Sequence, residues 1–213
     1  MSISSRIKLL SSSIPSNVTL VAISKTKPNN DILSAYHAGQ RIFGENKVQE
    51  LEEKQKKLPS DIQWHMIGHL QTNKVKHIAP FISLIHSVDS LKLLKEINKR
   101  AKQNNRTIDC LLQVHIAKEN TKFGFKIEEI NKTIEEAKEF TNITIKGLMA
   151  MATFTNNTNQ INKEFIRIHN LFEKIKTKKL NTLSIGMSSD YQLAINNGSN
   201  MIRVGSAIFG NRN

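Results

Sequence analysis

The sequence predicts an α/β protein: a single (β/α)8 TIM barrel with a short extra helix at its N-terminus. Three observations carry this. Short β-branched apolar runs alternate with longer amphipathic ones, the pattern of parallel strands buried on both faces with helices covering them. Eight such units fill 213 residues with no long linker and no low-complexity block, which favours a compact barrel over an open doubly wound sheet. The composition agrees, with 9 Gly, 4 Pro, one Cys and 38% hydrophobic residues. That excludes a disulfide framework and a Cys-based zinc cluster. No apolar run approaches the roughly 20 residues of a membrane span. The whole of 1–213 reads as one domain.

The first thirteen residues, MSISSRIKLLSSS, are Ser-rich and basic, as transit peptides are. Ile3, Ile7, Leu10 and Ile14 nevertheless recur at helical spacing, which predicts one amphipathic helix over 1–14. VTLVAIS (18–24) is the first buried strand, and 29–38 a helix that Gly39 stops. Residues 41–43 form a second strand, and 45–57 a charged helix with Val48 and Leu51 inward. The third strand is 63–67, followed by a short helix over 73–79 before Pro80. After the fourth strand, 84–88, Ser90 caps a helix through residue 103 with Leu91, Leu94, Ile97 and Ala101 on one face. Strand five is 108–115, and the helix over 127–140 turns Ile127, Ile130, Ile134 and Ala137 inward. Strand six is 143–149, and 161–176 carries a stripe of Ile161, Phe165, Ile168, Phe172 and Ile175. Strand seven (182–185) leads to a helix over 190–197, and strand eight (201–204) to a turn or helix from Ser206.

Lys and Arg total 31 against 18 Asp and Glu, a formal net charge of +13. This admits a nucleic-acid binder. The lysines, however, are scattered over every segment, and aromatics are only 6%, whereas a binding patch concentrates charge with aromatics interleaved. Enrichment in Lys, Asn and Ile is also what A/T-rich coding produces. The densest runs, EEKQKK (52–57) and KIKTKK (174–179), close amphipathic helices, where the dipole favours Lys. They read as solvated helix faces, with neither nucleic acid nor membrane as partner.

In a barrel the active site lies at the C-terminal ends of the strands. Strand one ends in Ser24-Lys25-Thr26-Lys27-Pro28. A lysine at a barrel mouth is partly desolvated, and a second cation nearby makes its amine less basic. That is what a Schiff base with an aldehyde requires; the plain alternative is a lysine reaching to solvent. Gly186-Met187-Ser188-Ser189-Asp190 follows strand seven, and Gly205-Ser206-Ala207 follows strand eight. Small and hydroxyl residues there expose N–H and O–H donors, and these two loops are the usual phosphate cradle of barrels. The plain alternative is helix capping. An aldehyde-reactive lysine facing a phosphate cup points to pyridoxal 5′-phosphate. Arg203, on the same side of strand eight as Gly205, is always protonated, so it could donate to a pyridine nitrogen but not accept from it. His65 and His69 have the i, i+4 spacing of a metal pair but straddle Gly68, so no metal site is expected.

At these residues the chain resembles the pyridoxal phosphate homeostasis proteins. The matching runs are VAISKTKP (21–28), GQRIFGENKVQE (39–50), WHMIGHLQTNK (64–74), HSVDS (86–90), KGLMAM (146–151), LSIGMSSDYQLAI (183–195) and GSNMIRVGSAIFG (198–210). They lie in order over nearly the whole chain. The resemblance implies the barrel of fold-type III enzymes such as alanine racemase, like its N-terminal domain and without its β domain. It implies a Schiff base at Lys25, phosphate contacts from Ser188, Ser189, Gly205 and Ser206, and Arg203 at the pyridine nitrogen. Asn46, His65 and Met149 would lie beside the cofactor. The implied role is cytoplasmic cofactor homeostasis, as a monomeric carrier or buffer without robust catalysis, with apo enzymes that use the cofactor as recipients. The alternative is a fold-type III amino-acid racemase, which needs two bases on opposite faces of the substrate. The two tyrosines, Tyr36 and Tyr191, both fall in expected helices. The stretch ahead of the first strand is shorter than is usual in the family, which leaves the packing of the leading helix open.

Overall fold

A computed structural model describes residues 1–119 and 123–210. Eight parallel strands close a barrel in sequence order: β1 (Thr19–Ile23), β2 (Ile42–Glu45), β3 (Gln63–Met66), β4 (Leu84–Val88), β5 (Ile108–Val114), β6 (Ile143–Ala150), β7 (Thr182–Ser184) and β8 (Met201–Val204). Closure comes from β1 against β8, with Thr19 opposite Met201 and Ala22 opposite Val204. The helices are α1 (Ile3–Ser13), α2 (Asn29–His37), α3 (Val48–Lys57), α4 (Val75–Ile78), α5 (Leu91–Gln103), α6 (Ile130–Ala137), α7 (Thr158–Ile175), α8 (Tyr191–Asn196) and α9 (Ser206–Phe209).

Strand alternation divides the buried side chains into two layers. Outward residues such as Phe43, Trp64, Leu112, Leu148 and Ile202 meet Ile32, Leu51, Leu94, Phe165 and Phe172 of the helices. Inward residues Val21, Ile23, Leu84, Leu111, Met149 and Met201 fill the barrel. Both faces being apolar explains why the strands read as nearly continuous hydrophobic runs. The leading helix is short but anchored. Ile7 and Leu10 are buried, and the Arg6 guanidinium donates to the Ile208 carbonyl of α9 at 3.0 Å.

The punctuation behaves as its chemistry demands. Gly39 takes φ +104° just past α2, a conformation L side chains avoid. The Ser90 hydroxyl accepts from Leu93 N–H at 3.3 Å. Replacing Ser90 with Ala is expected to cost about 1 kcal/mol of stability, measured by urea denaturation. Some boundaries move. Residues 127–129 and 72–74 are 3-10 turns leading into α6 and α4. The seventh helix begins earlier than residue 161 because the Asn157 side chain accepts from Gln160 N–H at 3.1 Å.

Two boundary corrections bear on function. The first strand ends at Ile23, so Lys25 is not a strand-end residue. Ser24 N–H still bonds Gly44 O at 3.1 Å, but Lys27 N–H then closes back on Ser24 O at 3.0 Å. Lys25 thus rides a turn in which Thr26 has φ +64°. The chain from Lys25 to Lys27 is therefore a turn and not an extension of the strand. Glu45, expected to open a helix, is the last residue of β2 and pairs with Met66; α3 starts only at Val48.

Candidate functional site

The C-terminal ends of the strands open into a cavity of about 750 Å³. Lys25, Asn46, Ser188, Ser189, Arg203, Gly205 and Ser206 share its wall, with Lys27 beside them. His65 and Met149 do not line it. Met149 is fully buried among Ile23, Leu111 and other barrel-filling residues, and His65 is buried against His86. The wall also contains residues not expected from sequence to hold the ligand: Ile67, Gly68, His69, Gln113, Met151, Met187, Phe123 and Phe154. Period-two alternation would have found some of them. Gln113 follows inward Leu111 by two positions, as Met151 follows Met149.

The two Ser-bearing loops are built differently from ordinary helix caps. The Asp190 carboxylate accepts from Met187 N–H at 2.6 Å and so closes its own loop, a short-range turn natural to Asp. Burial raises its carboxyl pKa, while that hydrogen bond and Arg203 lower it. Ser188 Oγ accepts from Gly205 N–H at 3.1 Å, tying the two loops together. The N-cap positions of α8 and α9, Asp190 and Gly205, make no side-chain cap bond. Ser189 and Ser206 are exposed on the cavity wall. Neither occupies an N-cap position, so helix capping does not account for them.

Arg203 forms the floor. It is 4% exposed. One guanidinium nitrogen donates to Ser184 O and Ser184 Oγ, both at 2.7 Å, and the other to Ala150 O at 2.9 Å. Burial lowers its pKa to about 10, so it remains charged at neutral pH. Ser184 Oγ also lies 3.2 Å from His86 Nδ1, and His86 Nε2 lies 3.0 Å from His65 Nδ1. The Ser184 hydroxyl accepts from Arg203 and lies within hydrogen-bond reach of His86, whose other ring nitrogen reaches His65. These contacts hold the guanidinium in one orientation. His86 and Ser184 were not singled out as site residues; His86 follows inward Leu84 of β4 by two positions. His69 is apart from this pair, bonded to Asp89 at 3.0 Å and stacked on Phe123.

Burial pushes the His65 pKa from 6.5 down to about 3. His86 is lowered by burial first, then by His65 and Arg203. The unfolded chain therefore binds more protons than the folded one below the ordinary histidine value. The stability contributed by these neutral rings is complete above pH 6.5 and is lost as pH falls toward 3. The expected slope is up to about 1.4 kcal/mol per pH unit for each histidine. Urea denaturation across that range checks it, and His65→Gln is expected to flatten the slope.

Lys54, expected on a solvated helix face, is 5% exposed. Its ammonium donates to Ser24 O at 2.8 Å, Glu45 Oε1 at 2.7 Å and Glu50 Oε1 at 2.6 Å. The fully buried Glu45 also accepts from Ser24 Oγ at 2.6 Å. Burial raises the Glu45 carboxyl pKa and Lys54 pulls it back. This cluster lies directly behind the turn that carries Lys25.

The family model described as alanine racemase, N-terminal domain, matches residues 2–213. A pyridoxal phosphate homeostasis protein of Haemophilus influenzae is 38% identical over 203 residues, covering 92% of this chain and 86% of its own. One of Helicobacter pylori is 40% identical over 195 residues, covering 90% and 87%. The chain belongs to the pyridoxal phosphate homeostasis protein family. A solved structure of PipY from Synechococcus elongatus, without PLP, superposes on this barrel with a TM-score of 0.93 at 34% identity, covering 98% of this chain and 100% of that one. The PipY structure with PLP bound gives 0.89. Alanine racemase from E. faecalis, at 14% identity and a TM-score of 0.77, shares the fold over 99% of this chain and 58% of its own. The barrel of pyridoxal phosphate homeostasis proteins is thus the racemase barrel. Among the described residues no helix is long and apolar enough to cross a membrane.

Proposed function

We propose that this chain, as one barrel domain over 1–213, binds pyridoxal 5′-phosphate as a Schiff base on Lys25. Its role is homeostasis of that cofactor in the cytoplasm: it keeps a reactive aldehyde available to apo enzymes, without robust turnover of its own and as a monomer. The observation that carries the reading is the shared wall of one cavity. Lys25, Ser188, Ser189, Ser206 and Arg203 all line the same space. The donor set fits the group. The hydroxyls and loop N–H groups suit a phosphate, the Lys25 amine an aldehyde carbon, and a charged Arg203 donates to a pyridine nitrogen. A pyridine left unprotonated is a weak electron sink, which suits holding the cofactor better than carbanion chemistry. When bound, the group supplies an electrophilic aldehyde. Asn46 is at hand on the wall, while His65 acts through His86 and Ser184 on the orientation of Arg203.

The racemase alternative needs a second base opposite Lys25. Neither tyrosine lines the cavity. The Tyr36 hydroxyl donates to Asp61 at 2.8 Å under Arg41, and Tyr191 is half-buried against the core. Purified protein is expected to be yellow, and borohydride to fix one cofactor per chain on the Lys25 peptide. A colourless protein that takes up no cofactor from solution sinks the reading. Steady racemisation of alanine would install the enzyme in its place. Tight duplex binding whose affinity falls steeply with salt would revive a nucleic-acid role for the +13 charge.

A further inference from the structure

The turn bearing Lys25 is gripped from both sides by one buried ion cluster. On the N-terminal side, Ser24 O accepts from Lys54 Nζ at 2.8 Å. On the C-terminal side, Thr26 N–H donates to Glu50 Oε1 at 2.5 Å. The same Glu50 oxygen accepts from Lys54 at 2.6 Å. Lys54 also bonds Glu45, which precedes the cavity residue Asn46, and Glu45 bonds the Ser24 hydroxyl. All three ammonium hydrogens of Lys54 are used. The backbone groups flanking Lys25 are therefore fixed relative to α3 and β2 through a single nitrogen.

Stability alone is a poor reason for such a cluster. The side chains of Lys54 and Glu45 are 6% and 0% exposed, and Glu45 Oε2 has no hydrogen-bond partner among the described residues. Burying charges costs desolvation that apolar packing would avoid, and replacing a buried pair by apolar groups is often neutral or stabilising. The cluster does secure something packing does not. Thr26 is β-branched yet sits at φ +64°, a conformation that persists only where the surroundings over-determine it. That turn sends Lys25 into the cavity.

We propose that Lys54 is the positioning residue for Lys25: through Ser24 and Glu50 it holds the strained turn that presents the Lys25 amine to the cofactor aldehyde. This rests on the reading of Lys25 given above. The role is on the lysine side only, because the phosphate cup lies on other loops.

The test compares wild type, Lys54→Met and the double variant Glu45→Gln/Lys54→Met, which removes both buried charges should the single variant fold poorly. Three quantities are read: the share of pyridoxal 5′-phosphate that borohydride fixes on Lys25, the affinity for pyridoxamine 5′-phosphate, and the melting temperature of the cofactor-free protein. Pyridoxamine 5′-phosphate has the phosphate and ring but no aldehyde, so it reports the cup alone. The expected result is a fall of about tenfold in the fixed share, the scale of one lost charge-assisted constraint, with pyridoxamine 5′-phosphate affinity held within about threefold. An unchanged fixed share in a folded variant overturns the proposal. Parallel loss of pyridoxamine 5′-phosphate binding also overturns it, since the cluster would then hold the whole site. Wild type that binds pyridoxamine 5′-phosphate but is never fixed on Lys25 overturns the reading of Lys25 and this proposal with it.

Discussion

Lys25→Ala is expected to abolish the borohydride-reducible bond and to weaken pyridoxal 5′-phosphate binding about 100-fold or more, equivalent to ~3 kcal/mol. The loss should be selective. The cup of Ser188, Ser189, Gly205 and Ser206 and the Arg203 floor stand on other strands and loops, so pyridoxamine 5′-phosphate should bind the variant nearly as well as wild type. The fold should survive, because Lys25 is only half-buried and sits on a turn outside the ladders. Peptide mapping after reduction decides the assignment. A variant that still carries the cofactor at wild-type stoichiometry removes Lys25 from its role. Lys27 would be the first place to look, since it lines the same wall and its Nζ reaches Phe209 O at 3.3 Å.

Gly147→Ala is expected to cost about 3–5 kcal/mol and to lower the yield of folded protein. Gly147 has φ +155°, and a Cβ there would lie 1.7 Å from the Thr182 carbonyl oxygen. That oxygen is backbone of the neighbouring strand, so nothing flexible can yield. Gly147 pairs with Thr182 in the β6–β7 ladder. The same two strands supply Ala150 O and Ser184, which hold Arg203, so any folded variant should also bind cofactor more weakly. Gly39→Ala is the control. It has φ +104° but nothing within 4 Å of its Cβ, so the expected cost is only about 1 kcal/mol of backbone strain. Equal losses by urea denaturation would show that overlap with Thr182 is not the source.

Most of the barrel was readable because its signal is local. VTLVAIS is apolar at every position that a doubly buried strand requires, and Ile161, Phe165, Ile168 and Phe172 mark a helix face within one segment. The cavity wall was readable to a similar degree. Lys25, Ser188, Ser189, Gly205 and Ser206 follow strands and Arg203 lies within β8, and a closed barrel sends those ends to one mouth; Asn46, which came from resemblance, lies on the same wall. His65 and Met149 came from resemblance, and both lie off the wall. Lys54 was misread because it sits in EEKQKK, whose local composition is that of a solvated helix end. Its acceptors Ser24 and Glu45 are 30 and 9 residues away. No spacing rule within a helix reveals such partners.

The sequence by itself determined the order and type of the elements, and hence which residues reach the C-terminal rim. Periodicity and turn chemistry act over a few residues and are written into each segment. Only the tertiary structure decided where the strand register stops. It ends β1 at Ile23, carries Glu45 into β2, and bends Lys25 onto a turn. It also decided which polar groups are buried together: Lys54 with Glu45 and Ser24, and Arg203 with Ser184, His86 and His65. The reason is physical. A buried charge or imidazole is tolerated only where partners from other elements satisfy it, and those partners meet only once the barrel has closed.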